Sequence, residues 1–216
     1  MTVGRTGRIA TVALFLLPCV PRAASAHVFG GNGGPAAGFM HPLTGADHLL
    51  AMVAVGVLSA QIGGRAIWTV PSAFVLVMIA GGVLGAMAPP LRGIELGIAF
   101  SVLILGAAVA GGGAVPAWSA LAAAGFFGFF HGYVHGTEMP AAASPALYAV
   151  GFAVSTAGLH VLGALTGLLV LCRERGSIRL RGAGLVVALA GVYFIVAGLR
   201  WPLPPAKHAL TVSAQR

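Results

Sequence analysis

Histidine and acidic side chains interrupt apolar sequence in two short stretches, HPLTGADHLL at residues 41–50 and FHGYVHGTE at residues 130–138. In the second stretch, His131 and His135 are four residues apart and Glu138 follows three residues later, so a helix would place all three on one face. Imidazole nitrogen and carboxylate oxygen are ligands that suit borderline divalent ions such as nickel, cobalt and zinc. The two stretches together predict a metal-binding site.

The first stretch needs a change of chain direction to contribute two ligands to one ion. His41 and His48 are seven residues apart, which is about 10 Å along a continuous helix and too far for a shared ion. Pro42 and Gly45 lie between them and favour a break or a loop-to-helix transition there. An alternative for His41, which lies beside Pro42, is a structural role at the entry of the helix near the lipid headgroups.

The composition is that of an integral membrane protein. Of the 216 residues, 58% are hydrophobic and 7% are charged, and the mean hydropathy is +0.97, far above the range of soluble domains. The formal net charge is +8, but the basic residues are scattered over the N-terminus and the loops. We therefore expect no nucleic-acid binding.

Residues 1–26 have the pattern of a cleaved signal peptide. Arg5 and Arg8 precede an apolar stretch of about ten residues, too short to cross a bilayer, and Ala24, Ser25 and Ala26 form a small-residue cleavage signal. Cleavage there leaves His27 as the mature N-terminus, where its imidazole and free amine form a chelating pair. Cleavage elsewhere removes that pair.

Residues 27–216 are predicted to form one transport domain with an all-α fold, a polytopic bundle of six transmembrane helices. Glycine, proline and charged residues separate apolar segments of nearly spanning length. These lie at roughly 40–60, 66–88, 93–110, 115–134, 146–171 and 183–200. The connections are short, so consecutive helices are antiparallel neighbours. An exported N-terminus places the four arginines of residues 173–181 in the cytoplasm, as the positive-inside rule requires.

This topology brings the polar side chains to the periplasmic side of the bundle. The residues concerned lie near the start of the first predicted helix, near the start of the third or near the end of the fourth. They are His41, Asp47, His48, Glu95, His131, His135 and Glu138. Ionisable groups inside a membrane are costly and are usually functional. We therefore predict that these residues hold a metal ion.

Several candidates also have structural interpretations. Asp47 is a suitable capping residue for the first helix, and Glu95 follows Arg92 at the spacing of a surface ion pair. Met52, one turn beyond His48, is either a soft ligand or core packing. His160, in the middle of the fifth helix, is either a deeper ligand for an ion in transit or a neutral histidine hydrogen-bonded within the bundle.

At HPLTGADHLLAMVAVG (41–56) and FHGYVHGTEMP (130–140) the sequence closely resembles the HupE/UreJ family of membrane proteins, associated with hydrogenase and urease maturation. The resemblance covers essentially the whole mature chain. It implies a nickel permease of about six helices in the bacterial inner membrane, acting by facilitated diffusion, with cobalt as the alternative ion and without enzymatic activity. The family's important residues, carried over by position, fall on His41, Asp47, His48, Glu95, His131, His135 and Glu138.

The resemblance makes nickel or cobalt the transported ion, with no prosthetic group, and makes hydrogenase or urease maturation proteins the candidate partners. Many relatives have more histidines after the signal, whereas HVFGGNGGPAAGFM contains only His27, which argues against metal gathering there. The chain lacks the GxxxxGK[ST] motif, so ATP-driven pumping would need a partner chain.

Two other classes use the same ligands. An intramembrane zinc hydrolase would activate water with Asp47 or Glu138, and a metal-binding accessory or sensor protein would neither hydrolyse nor transport. The candidate ligands outnumber those that one catalytic metal uses, which favours the permease.

Overall fold

In the computed structural model, residues 34–89, 91, 93–139 and 144–200 are described, and they contain helices joined by short connections. Seven helices lie within these ranges: α1 Pro35–Thr44, α2 Ala46–Ile62, α3 Ala66–Met87, α4 Ile94–Ala110, α5 Ala117–Thr137, α6 Pro145–Leu171 and α7 Gly176–Arg200. The predicted all-α fold is confirmed. The predicted signal peptide and His27 lie outside the described residues.

Length and composition identify three to four membrane spans among the described helices. Helices α3, α6 and α7 each qualify alone, and α1 with α2 qualify together as one bent span. The apolar helix α4 has only 17 residues, and α5, with two histidines and four glycines among its 21 residues, is less hydropathic. Each of the six predicted segments coincides with a helix or with the α1–α2 pair, while six complete crossings remain a prediction.

The chain breaks between His41 and His48, as predicted. Helices α1 and α2 meet at 86°, and the change of direction occurs at Gly45, whose backbone is extended with φ −93° and ψ 116°. Pro42 lies inside α1 instead of at the break. A Cβ atom on Gly45 would lie 3.0 Å from Nδ1 of His48 and 3.1 Å from Oδ1 of Asp47, so glycine leaves room for those side chains.

Two glycines show how closely the helices approach one another. A Cβ atom on Gly132 of α5 would collide with the backbone carbonyl of Met78 in α3, and one on Gly56 of α2 would collide with the carbonyl of His160 in α6. Such contacts through small residues are a main source of packing energy between membrane helices. They fix α5 against α3 and α2 against α6, the helices that carry most of the histidines.

An apolar core lies beyond the histidine-bearing ends of α2 and α5. Its fully buried members include Val55, Val70, Phe74, Val102 and Ala124. Large apolar side chains such as Trp68 and Leu169 point outward and are 70% and 66% exposed, as expected for surfaces that face lipid.

Candidate metal site

Four histidines from α1, α2 and α5 lie together at one end of the bundle. The ring centres of His135 and His41 are 4.4 Å apart, those of His135 and His48 are 4.5 Å apart, and those of His48 and His131 are 4.9 Å apart. The bend at Gly45 brings the rings of His41 and His48 to 6.5 Å. The two histidine-containing stretches of the sequence therefore meet in space.

The ligand atoms form two groups that share one residue. In the first, which we call the buried triad, one nitrogen each from His48, His131 and His135 lies within 4.8 Å of the others. In the second, the surface triad, the same limit holds for His41, His135 and a carboxylate oxygen of Glu138. All members of the buried triad are buried, whereas Glu138 is exposed. His135 belongs to both triads and links the surface to the interior.

Asp47 orients the ring of His48. Its Oδ1 atom accepts the backbone N–H of His48 at 2.8 Å and lies 2.7 Å from Nδ1 of the same residue. A carboxylate only accepts hydrogen bonds, so Nδ1 carries the proton. Nε2 of His48 then has a free lone pair, and this buried atom has no hydrogen-bond partner among the described residues. Asp47 thus acts through His48 and belongs to neither triad.

Ser101 of α4 orients His131 in the same way. The Ser101 hydroxyl donates to the carbonyl of Ile98 at 2.6 Å, and its oxygen lies 3.0 Å from Nε2 of His131. Because the hydroxyl proton is already used, the oxygen accepts from Nε2–H and leaves Nδ1 of His131 unprotonated. Nδ1 is buried and has no partner in the part of the chain that the structure describes.

Aromatic residues of α6 position the other two rings. The Tyr148 hydroxyl lies 3.0 Å from Nδ1 of His41, and the Phe152 ring centre lies 4.2 Å from that of His135. Neither nitrogen of His135 has a hydrogen-bond partner within the described ranges. The sequence interpretation missed Ser101 and Tyr148, since neither has a spacing that relates it to a histidine.

Glu138 follows the last residue of α5 and provides the charge at the surface. Partial burial raises the pKa of its carboxyl above the ordinary value, His48 lowers it, and Glu95 and Asp47 raise it. A bound divalent cation would favour the ionised carboxylate. Glu138 is therefore suited to meet a cation before the neutral histidines do.

Three other predicted ligands lie outside both triads. Glu95 is exposed in the first turn of α4. Met52 is fully buried in the apolar core with Phe74 and Met78. His160 is 1% exposed, and its ring centre lies 5.1 Å from that of Phe74.

Comparison with known proteins identifies the family. The family model described as HupE / UreJ protein matches residues 14–194. Protein HupE of Rhizobium leguminosarum bv. viciae is 44% identical over 187 residues, which are 86% of this chain and 95% of that protein. No solved structure shows significant similarity. Both histidine-containing stretches lie within the matched residues, and the chain belongs to the HupE/UreJ family.

Proposed function

We propose that this chain is a permease that carries nickel, with cobalt as the alternative ion, across the bacterial inner membrane for maturation of a hydrogenase or urease. The HupE/UreJ family consists of accessory transporters for these ions. The observation that carries the proposal is the buried triad, in which His48 and His131 each have a buried nitrogen without a hydrogen-bond partner among the described residues.

The chemistry of the buried triad suits a borderline divalent ion. Three imidazoles without a thiolate favour nickel, cobalt or zinc over soft ions such as Cu(I). Hydrogen bonds from the opposite nitrogens to Asp47 and Ser101 fix the ring orientations of His48 and His131 and raise the basicity of these rings. Leaving buried polar nitrogens unpaired costs about 1–3 kcal/mol each, a cost that ligation of an ion removes.

The surface triad supplies a route into the buried triad. The carboxylate of Glu138 attracts a hydrated cation, and His41 and His135 replace part of its water. Because His135 belongs to both triads, rotation of one ring transfers the ion toward His48 and His131. Neutral ligands predominate in the buried triad, so the ion is held moderately and can leave, which conduction requires.

Import is the proposed direction. An exported N-terminus and six crossings would place both triads on the periplasmic side and the arginines of residues 173–181 in the cytoplasm. Asp47 acts through His48 in this proposal, and Glu95 adds negative potential at the mouth.

Uptake of radioactive nickel and cobalt by cells that lack their own importer tests the proposal. We expect uptake with the intact protein and its loss in His48→Ala and His135→Ala at equal membrane abundance. Leu169→Ala, which alters an outward-facing side chain, is the matched control and should retain uptake. Absence of uptake by a correctly inserted, metal-binding intact protein would instead favour a sensor or hydrolase.

A further inference from the structure

One face of α6 continues from the two triads into the interior. Tyr148, Phe152, Thr156 and His160 follow one another at intervals of four residues, which places them along one face of the helix. Tyr148 and Phe152 contact His41 and His135. Thr156 and His160 therefore lie one and two turns farther from the triads on the same face.

Thr156 and His160 are buried polar residues with unused hydrogen-bonding atoms. Thr156 is 0% and His160 is 1% exposed, and neither the threonine hydroxyl nor either imidazole nitrogen has a partner in the described ranges. Among the other buried hydroxyls, those of Ser59 and Ser101 donate to the carbonyls of Gly56 and Ile98, whereas that of Ser155 also has no partner in these ranges. A helical threonine can normally form such a bond, so its absence at Thr156 needs another explanation.

His160 lies farther along the bundle than the buried triad, with one aromatic ring in contact with both. Its backbone packs on Gly56, eight residues after His48, which is about 12 Å farther along α2. Phe74 contacts both imidazoles, with ring centres 5.3 Å from His131 and 5.1 Å from His160. His160 also borders a largely apolar groove of about 450 Å³ between α3 and α6, whose rim includes the outward-facing Trp68.

We infer that Thr156 and His160 form a second, transient binding site, which receives a divalent metal ion from the buried triad. This inference rests on the proposed function. The site offers one imidazole nitrogen and one hydroxyl oxygen, and water completes the coordination. It therefore binds the ion more weakly than three imidazoles do, as a site that must pass the ion on requires.

Purified full-length protein with Thr156→Val separates an ion-binding role from a structural one. Valine keeps the shape of threonine and removes a hydroxyl that has no hydrogen-bond partner among the residues the structure describes, so the melting temperature should stay the same or rise. The maximal rate of nickel uptake into proteoliposomes should fall about fivefold, which is the effect expected from the loss of one neutral polar contact to the ion. Ser59→Ala, which removes a buried hydroxyl with a partner, should lower the melting temperature and leave uptake unchanged.

His160→Phe tests the imidazole itself. We expect the maximal uptake rate to fall by about tenfold or more, while nickel still binds to the buried triad with its original affinity. Titration of the intact protein with cobalt should reveal a second, more weakly bound cobalt ion, and the absorption signal of this ion should disappear in His160→Phe.

The outcomes distinguish the inference from the function on which it rests. Uptake by the intact protein that is unchanged in both Thr156→Val and His160→Phe overturns the second site and leaves the permease intact. No uptake by the intact protein overturns the permease. In that case, weak binding of a second cobalt ion that is lost in His160→Phe still supports the second site. If the intact protein binds no second cobalt ion, the second site is overturned as well.

Discussion

Ser101→Ala tests whether the hydrogen-bond partner of His131 controls metal binding. The substitution removes the oxygen that lies 3.0 Å from Nε2 of His131. Nε2–H then loses its acceptor, the ring is free to rotate, and the tautomer with the proton on Nδ1 is no longer disfavoured. That tautomer blocks the nitrogen that would bind the metal.

The expected loss of nickel affinity follows from the hydrogen bond that the substitution removes. An unpaired buried donor costs about 1–3 kcal/mol, and loss of a hydrogen-bond partner of a ligating histidine typically costs about 10- to 100-fold in affinity. Since about 1.4 kcal/mol corresponds to tenfold, the two figures agree. We therefore expect the nickel concentration for half-maximal uptake to rise about tenfold in Ser101→Ala.

Ser59→Ala is a closely matched control for this experiment. Ser59 and Ser101 are both 0% exposed, and each donates its hydroxyl to the carbonyl three residues earlier. Only Ser101 also contacts a histidine. Concentration-dependent nickel uptake into proteoliposomes should separate the variants, and equal half-maximal concentrations in both would refute the role assigned to Ser101.

Three further predictions concern charge, pH and packing. Glu138→Gln should lower uptake at low nickel and have little effect at saturation, because it removes the carboxylate of the surface triad; a lower maximal rate with unchanged half-saturation would contradict this role. Burial raises the pKa of the Glu138 carboxyl above its ordinary value, so acidification should protonate this group and lower uptake at subsaturating nickel; an equally steep pH profile in Glu138→Gln would contradict this. Gly132→Val should lower the melting temperature strongly, because its side chain collides with the carbonyl of Met78. Gly158→Ala has open space around the added atom and should stabilise α6 by roughly 0.5–1 kcal/mol, so equal melting temperatures for the two variants would contradict the packing of α3 against α5.

Much of the helical organisation could be predicted because it is encoded locally. Glycine and proline separate the apolar segments, and the seven-residue spacing of His41 and His48 required the break that occurs at Gly45. The last helix begins earlier than predicted, at Gly176 instead of about residue 183, because Arg179 and Arg181 at its start are tolerated by a helix end exposed to solvent. Composition and length identify three to four spans among the described helices instead of six, since α4 is short and α5 carries polar residues that lower its hydropathy.

The arrangement of the histidines around one shared residue could not be predicted from spacing. It depends on how α5 packs against α3 and how the bend directs His41 toward His135. Ser101 and Tyr148 lie on α4 and α6, which contribute no residue to either triad, so no local pattern related them to the site. That the Thr156 hydroxyl has no hydrogen-bond partner within the described part of the chain likewise emerges only from three-dimensional contacts.

Nickel flux into proteoliposomes that contain only the purified chain is the most direct test of the central claim. A chelating dye inside the vesicles would report the ion as it arrives, with His131→Ala reconstituted in equal amount for comparison. The permease account predicts nickel-dependent signal with the intact chain and its loss in His131→Ala. Tight nickel binding by the intact chain without any flux would contradict it.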